Sequence, residues 1–403
     1  MTVRPEQEIP HRWVDTEDSL TDLVDELVAA DEFALDTEFH RERTYYPRLA
    51  LIQVAWKRED GASRGQDAEI ALIDPVAVDP RPLGKALEKV RQVIMHAPQQ
   101  DYEVLERACG VVPSRVFDTQ VAAGFLGLSS PSLSTLVERF LGSRLAKGDR
   151  LTDWFQRPLG DAQRRYAASD VVHLAALMDL IAGDLSRRGR VEWAFDESER
   201  MRTRATRVMD PEEAWMKIKE ARHLRGRALV VAQELAAWRE RTAQRTDQPV
   251  RFVLSDLALV GVAQKAPTRP EQLKSIRGLD GRHLRDGAGR EILEAVRRGL
   301  DRPPDSVQRV KEDGGATLER RLRPAVTLVS AWISQLARDE DLDPALLATR
   351  ADIVSFLRGD EDSRLNTGWR NDLVGTRIRS LVEGRSALSF DDGRLVLEPR
   401  ERS

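Results

Sequence analysis

Four short apolar runs in the first hundred residues, EFALD, RLALIQVAW, EIALIDP and VRQVIMHA, constrain this chain more than any other feature. Each is bounded by turn or charged residues, which is the pattern of buried strands. KREDGASRGQDAE, residues 57 to 69, is polar and contains glycine, so it reads as the loop of a long hairpin. After the fourth run the period changes. QQDYEVLERACG, PSLSTLVERFLG and GDAQRRYAASDVVHLAALMDLIAGDL space their apolar residues by three and four, with Ser132 or Asp161 near starts and glycine near ends. Strands followed by helices predict an α/β domain with a mixed sheet over residues 1–195.

From about residue 196 no strand is expected. DESERMRTRATR has few apolar residues and suits an exposed helix or a linker. Residues 210–300 read as a compact all-helical domain containing two amphipathic helices broken near Arg225 and Gly226. DRPPDSVQRVKEDGG, 301 to 315, reads as a linker, and residues 316–395 as a second helical domain. The order proline, apolar helix with an internal Asp, short helix ending in Gly occurs around both Asp256 and Asp352. A weak internal repeat and chance helical similarity both account for it.

A length of 403 residues suggests two or three domains, and 41% hydrophobic with 32% charged residues is the composition of a globular chain. MTVRPEQEIPHRWV lacks the apolar core of a signal peptide, and no run approaches the ~18 apolar residues of a spanning helix, so a cytoplasmic protein with no membrane partner is expected. Cys109 is the single cysteine, which excludes an intrachain disulfide and a cysteine-cluster metal site. The net charge of −4 divides into −7 over residues 1–209, +5 over 210–300 and −2 over 301–403. The basic middle segment suits phosphate contacts, though a solvated helical surface carries the same charge.

Asp36 and Glu38 lie two apart in the first run and leave the same face of an extended chain. Adjacent buried carboxylates repel and raise a pKa unless a cation lies between them, and a hard divalent ion prefers such oxygen ligands. Taken alone, the pair reads rather as a strand that ends with both acids in solvent. Asp101 opens a helix after the fourth strand, and strand ends in α/β sheets collect ligands. Tyr166 and Asp170, four apart, share one helix face beside the stripe of Val171, Leu174 and Leu177; a core Tyr and a capping Asp would also stand there. Together the four acids can bind two metal ions about 4 Å apart, the arrangement used in phosphoryl transfer.

FALDTEFHRERTYYPRLALIQVA, HAPQQDYEVL and YAASD resemble, in order and spacing, the three exonuclease motifs of the DEDD superfamily, in the subclass with Tyr four residues before the last Asp. The chain is most similar to the ribonuclease D family, whose DTEF, TYYP-L-LIQ, LIDP, DTQ and TDW-RPL features stand here at 36–39, 44–53, 72–75, 118–120 and 152–159. The likeness covers most of residues 30–185; the 57–69 loop is longer than the family's usual hairpin. Residues 210–290 resemble an HRDC domain, and the last segment resembles the divergent helical domain that follows it in the family.

The resemblance implies an α/β ribonuclease H-like exonuclease domain followed by two all-helical HRDC-type domains, and 3′-to-5′ removal of single nucleotides from RNA. It implies two divalent ions, Mg²⁺ or Mn²⁺. Asp36, Glu38 and Asp170 would hold the one that activates water, with Asp36 bridging and Asp101 supporting the second. Tyr166 would orient the water; a phenol is a poor base at neutral pH. Phe39 suits stacking on a terminal base or core packing, and His96 suits a substrate contact or a structural role. Lys217, Lys219, Arg222, Arg225 and Arg227 are the candidate phosphate contacts. The expected partner is RNA with a single-stranded 3′ end, tRNA precursors foremost, met by a monomer. A DNA repair exonuclease and a non-catalytic RNA-binding scaffold are the alternatives on this fold.

Overall fold

The apolar run Arg48–Trp56 forms strand β3 because both of its faces are covered: Ile52, Val54 and Trp56 enter one hydrophobic cluster while Leu51 and Ala55 enter two others on the opposite side. The computed structural model describes residues 9–57, 68–145, 152–206, 209–279, 287–304, 306 and 315–400. Most of the 57–69 loop and much of the 301–315 linker lie outside the described residues. The chain divides into two units, Met1–Glu38 with Leu49–Thr206 and Asp313–Ser403, and Phe39–Arg48 with Arg207–Glu312.

In the first unit the sheet has the order β1-β4-β3-β2-β5-β6, from β1 (Arg12–Val14), β2 (Glu32–His40), β3, β4 (Glu69–Ile73), β5 (Gln92–Met95) and β6 (Val116–Asp118). β4 is antiparallel to β3 and parallel to β1, and β2, β5 and β6 run parallel, so the sheet is mixed as expected. The three-residue edge strands β1 and β6 are too short to leave a periodic signal. Helices α1 (Glu17–Ala29), α2 (Gly84–Lys89) and α3 (Asp101–Cys109) follow strands; α1 and α3 pack on one face through Leu20, Leu23, Leu27, Tyr102 and Leu105. Helix α3 ends at Gly110, whose φ of 80° closes the helix in the left-handed region.

The other face carries α4 (Thr119–Gly124), α5 (Leu133–Leu136), α6 (Asp161–Val172), α7 (Leu174–Arg187) and α8 (Val191–Ala205). The run Asp161–Arg187 is long and apolar enough by length and composition to cross a membrane. Here it breaks at His173 and sinks Val171, Leu174, Leu177, Ile181 and Leu185 into the core. DESERMRTRATR is helical, as the second half of α8, but not fully exposed, since Glu197 and Ser198 are buried. Glu197 can be buried because Arg200, Arg364 and Arg370 surround its carboxylate.

In the second unit the expected first amphipathic helix is a pair of 3-10 turns, Pro211–Lys217 and Ala221–His223, and α9 (Gly226–Thr246) begins after them. It packs with α10 (Val250–Val253), α11 (Asp256–Lys265), α12 (Pro270–Leu273) and α13 (Ala288–Asp301) around Val230, Val231, Leu235, Leu259 and Val296. Residues of the 39–48 segment join this unit: Tyr45 donates to Glu240 Oε1 at 2.5 Å, and the Tyr46 amide to Asp247 Oδ1 at 3.1 Å.

The C-terminal segment returns to the first unit. Helices α14 (Gly315–Asp339), α15 (Pro344–Leu347), α16 (Arg350–Arg358), α17 (Gly368–Arg370) and α18 (Thr376–Val382) share one hydrophobic cluster with α4, α6 and α7. Trp332, Ile333 and Leu336 of α14 are buried, each worth about 1.5–3 kcal/mol over exposure. Trp369 stacks on Trp193 at 5.0 Å and 12°. All-helical is corrected at the end of this segment, where β7 (Ser386–Asp391) and β8 (Arg394–Pro399) form an antiparallel hairpin. Alternating Leu388, Phe390, Leu395 and Leu397 around an Asp-Gly turn make a two-residue period rather than a helical one. The Asp256 and Asp352 segments share a local plan: a proline-led single turn, a Ser255 or Thr349 N-cap, then a helix with the Asp in its first turn rather than inside it.

Candidate active site

Strand β2 alternates: Phe33 and Leu35 enter the cluster under α1, and Ala34 enters the opposite one under α6 and α7. Asp36 and Glu38 continue the Ala34 face, and α6, seated there by Ala168 and Val171, brings Asp170 to them. One oxygen from each of Asp36, Glu38 and Asp170 lies within 4.8 Å of the others, and all three residues are half-buried. Asp101, 8% exposed at the start of α3, accepts a hydrogen bond from Thr37 Oγ1. Among the described residues no Lys, Arg or His pairs with any of these acids.

The electrostatics follow from that absence. Burial, then Asp101, Asp170 and Glu38, push the Asp36 carboxyl well above its ordinary value. Burial, then Asp170 and Asp101, raise Glu38 to about 8. Burial raises Asp170 to about 7 against the lowering effect of the Tyr166 hydroxyl, which donates to it. Burial raises Asp101 to about 6 against the Thr37 bond. Burial and the three neighbouring acids push the Tyr166 phenol up, so it stays protonated at neutral pH. Four oxygen donors with surplus negative charge fit hard divalent cations.

The loop before Asp101 is held by a residue whose role the sequence did not reveal. Buried Asp118 accepts from the amides of Ala97 at 3.0 Å and Gln120 at 2.9 Å, and Ala97 takes a φ of 55°. The bond holds Ala97 in a region unfavourable for a residue with a Cβ. Thr37 and Asp118 lie within the DTEF and DTQ stretches, which marked them without showing what they touch.

His96 stands at the end of β5, its Nδ1 2.9 Å from Thr119 Oγ1, with a second bond to the Pro131 carbonyl; burial lowers it to about 4, so it is neutral. Phe39 is half-buried beside Glu38 and belongs to none of the hydrophobic clusters. Lys217, Lys219, Arg222, Arg225 and Arg227 are exposed on the second unit. Arg225 Nη1 also donates to the Arg222 and Leu224 carbonyls at 3.1 Å, and Arg227 to Leu300 at 3.3 Å.

Residues 11–185 match the 3′-5′ exonuclease domain family, and residues 228–296 match the HRDC domain. The chain is 33% identical to ribonuclease D of Zymomonas mobilis over 96% of its own length and 98% of that protein's. It is 34% identical to ribonuclease D of Gluconacetobacter diazotrophicus, covering 96% of each. The structure resembles that of Escherichia coli RNase D, an exoribonuclease involved in structured RNA processing, with a TM-score of 0.81 and 31% identity over 93% of this chain and 99% of that one. Likeness of this extent covers nearly the whole chain, which therefore belongs to the ribonuclease D family of 3′-5′ exoribonucleases.

Proposed function

We propose that Asp36, Glu38, Asp101 and Asp170 hold two divalent cations, Mg²⁺ or Mn²⁺, and that the chain hydrolyses RNA from its 3′ end to nucleoside 5′-monophosphates. The observation that carries this reading is the convergence of the Asp36, Glu38 and Asp170 oxygens within 4.8 Å with no basic partner among the described residues. When bound, the cations lower the pKa of the attacking water and offset charge on the departing 3′ oxygen. The chain's own groups do the rest. Asp36, Glu38 and Asp170 would hold the cation that activates water and Asp101 would support the other, with Thr37 donating to the Asp101 carboxylate. Tyr166 spends its proton on Asp170, which leaves its oxygen to accept from the attacking water and orient it. Water's oxygen bonds to phosphorus, the P–O3′ bond breaks, and the 3′ oxygen takes a proton.

Phe39, half-buried and next to Glu38 in the chain, is the aromatic residue we propose for stacking on the terminal base. The neutral, doubly bonded His96 suits a structural role more than an ionic substrate contact. Lys217, Arg222 and Arg225 supply exposed charge for phosphates, and the basic segment supports a role for the helical domain, 210–300, in RNA affinity. We read residues 1–195 as the exonuclease domain and 316–395 as a second HRDC-like module. The substrates proposed are 3′-extended tRNA precursors and other structured RNAs, met in the cytoplasm by a monomer. Retention of uncompensated acids disfavours a scaffold, and the family disfavours DNA repair.

The test incubates 3′-extended tRNA, and separately DNA, with Mg²⁺ or Mn²⁺. Wild type should release 5′-monophosphates from RNA and Asp36→Ala should not. Metal-independent release, or equal release by the variant, rejects the reading.

A further inference from the structure

Two motifs remain without a role, LIDP at 72–75 and TDW-RPL at 152–159, and the fold joins them. Asp74, 4% exposed after β4, takes Arg157 in a two-pronged pair, Nε to Oδ2 at 2.7 Å and Nη2 to Oδ1 at 2.6 Å. The remaining donors of Arg157 are also used: Nη2 to the Ala50 carbonyl at 2.8 Å, Nη1 to those of Trp154 at 2.7 Å and Gln156 at 3.0 Å. Five bonds for five N–H groups is more than an ion pair needs, and lysine cannot reproduce the fork. The pair therefore fixes the backbone carbonyl of Trp154 against the ends of β3 and β4.

Trp154, 7% exposed, packs with Leu51, Leu72, Leu159 and Ala167, and its ring centre lies 6.0 Å from that of Tyr166. The Tyr166 hydroxyl reaches Asp170. Small errors in the placement of such a group cost much more rate than binding.

We propose that Arg157 and Trp154 are positioning residues for the exonuclease reaction: Asp74 anchors Arg157, Arg157 fixes Trp154, and the Trp154 ring sets where the Tyr166 hydroxyl stands. The inference rests on the reading of Tyr166 as the group that orients water. Its distinguishing mark is coupling to that hydroxyl, which bulk stability does not produce.

The test measures kcat, KM for 3′-extended RNA and the Mg²⁺ midpoint for Arg157→Lys, Trp154→Phe and Trp154→Ala, each with and without Tyr166→Phe, beside melting temperatures. Exposed Arg81, paired with Asp79, supplies the control Arg81→Lys. Arg157→Lys and Trp154→Ala should lower kcat on the order of tenfold with KM and Mg²⁺ midpoint within about two-fold, and Trp154→Phe should retain most of the rate. In the Tyr166→Phe background the same changes should cost nothing further. Multiplying losses, unchanged kcat in all three variants, or a loss carried by KM overturns the proposal. If Trp154→Ala fails to fold, Arg157→Lys decides it by the same cycle. Full kcat in Tyr166→Phe alone would instead remove the role of Tyr166.

Discussion

Glu197 and Asp36 are carboxylates of the same unit withdrawn from water, and their surroundings treat the charge in opposite ways. Glu197, 2% exposed on α8, accepts from Arg370 Nη2 and Arg200 Nη2 at 2.5 Å each, with Arg364 Nη1 at 3.8 Å. Burial alone would raise its pKa, but Arg200 and Arg370 overcome that and hold it below the usual range. Around Asp36 the neighbours are Asp101, Asp170 and Glu38, and every one of them raises the pKa. A structural acid receives its counter-charge from the chain; the acids of the site are left short of one, and the deficit is what a divalent cation fills.

The sharpest break in that comparison exchanges one acid from each cluster. Asp36→Ala should lower kcat by at least ~10³-fold, about 4 kcal/mol of barrier, with no loss of melting temperature in metal-free protein, since it removes repulsion. Glu197→Ala should do the reverse. It leaves buried Arg370 unpaired, costs about 3–5 kcal/mol of folding stability in a denaturant titration, and leaves kcat per folded molecule near wild type.

The acid cluster also fixes how metal-free stability depends on pH. Glu38 at about 8 and Asp170 at about 7 hold protons in the folded state that the unfolded chain has lost above its ordinary carboxylate range. Their favourable contribution is complete below pH ~4 and disappears as pH rises through 7 to 8. Metal-free protein should melt at lower temperature at pH 8 than at pH 5.5. Mg²⁺ at ~100 times its Kd should restore about 2.7 kcal/mol at the higher pH, and not in Asp36→Ala. Metal-dependent kcat should rise over the same pH interval, because binding displaces those protons.

The smallest effect concerns the one bond that does favour an ionised acid here. Thr37→Val removes the donor to Asp101 and raises its pKa, so the pH–rate curve should move upward and the rate at pH 7 fall about tenfold, at ~1.5 kcal/mol for a hydrogen bond to an ionised group. Thr37→Ser should return the profile toward wild type.

The candidate site was legible where its residues lie in short local patterns. Asp36 and Glu38 share a face by strand alternation, Tyr166 and Asp170 by the four-residue helix interval. The same logic gave four strands and the helices α3, α6, α7 and α9, whose periods are long enough to count. It failed where the decisive partner is distant. Nothing in DESERMRTRATR announces Arg370, 173 residues away, so the segment read as exposed although Glu197 is buried. The C-terminal hairpin carried a legible period in Leu388, Phe390, Leu395 and Leu397, masked by the helical segments before it.

The sequence by itself determined the order of strands β2 to β5 and of the longer helices, and which acids can share a face, since backbone geometry imposes those periods within a few residues. Only the tertiary structure decided which charges are neutralised and which are not. Asp74 meets Arg157 across 83 residues and Thr37 meets Asp101 across 64. Charge compensation acts through space, and the sheet and the helices across it set which groups come within reach.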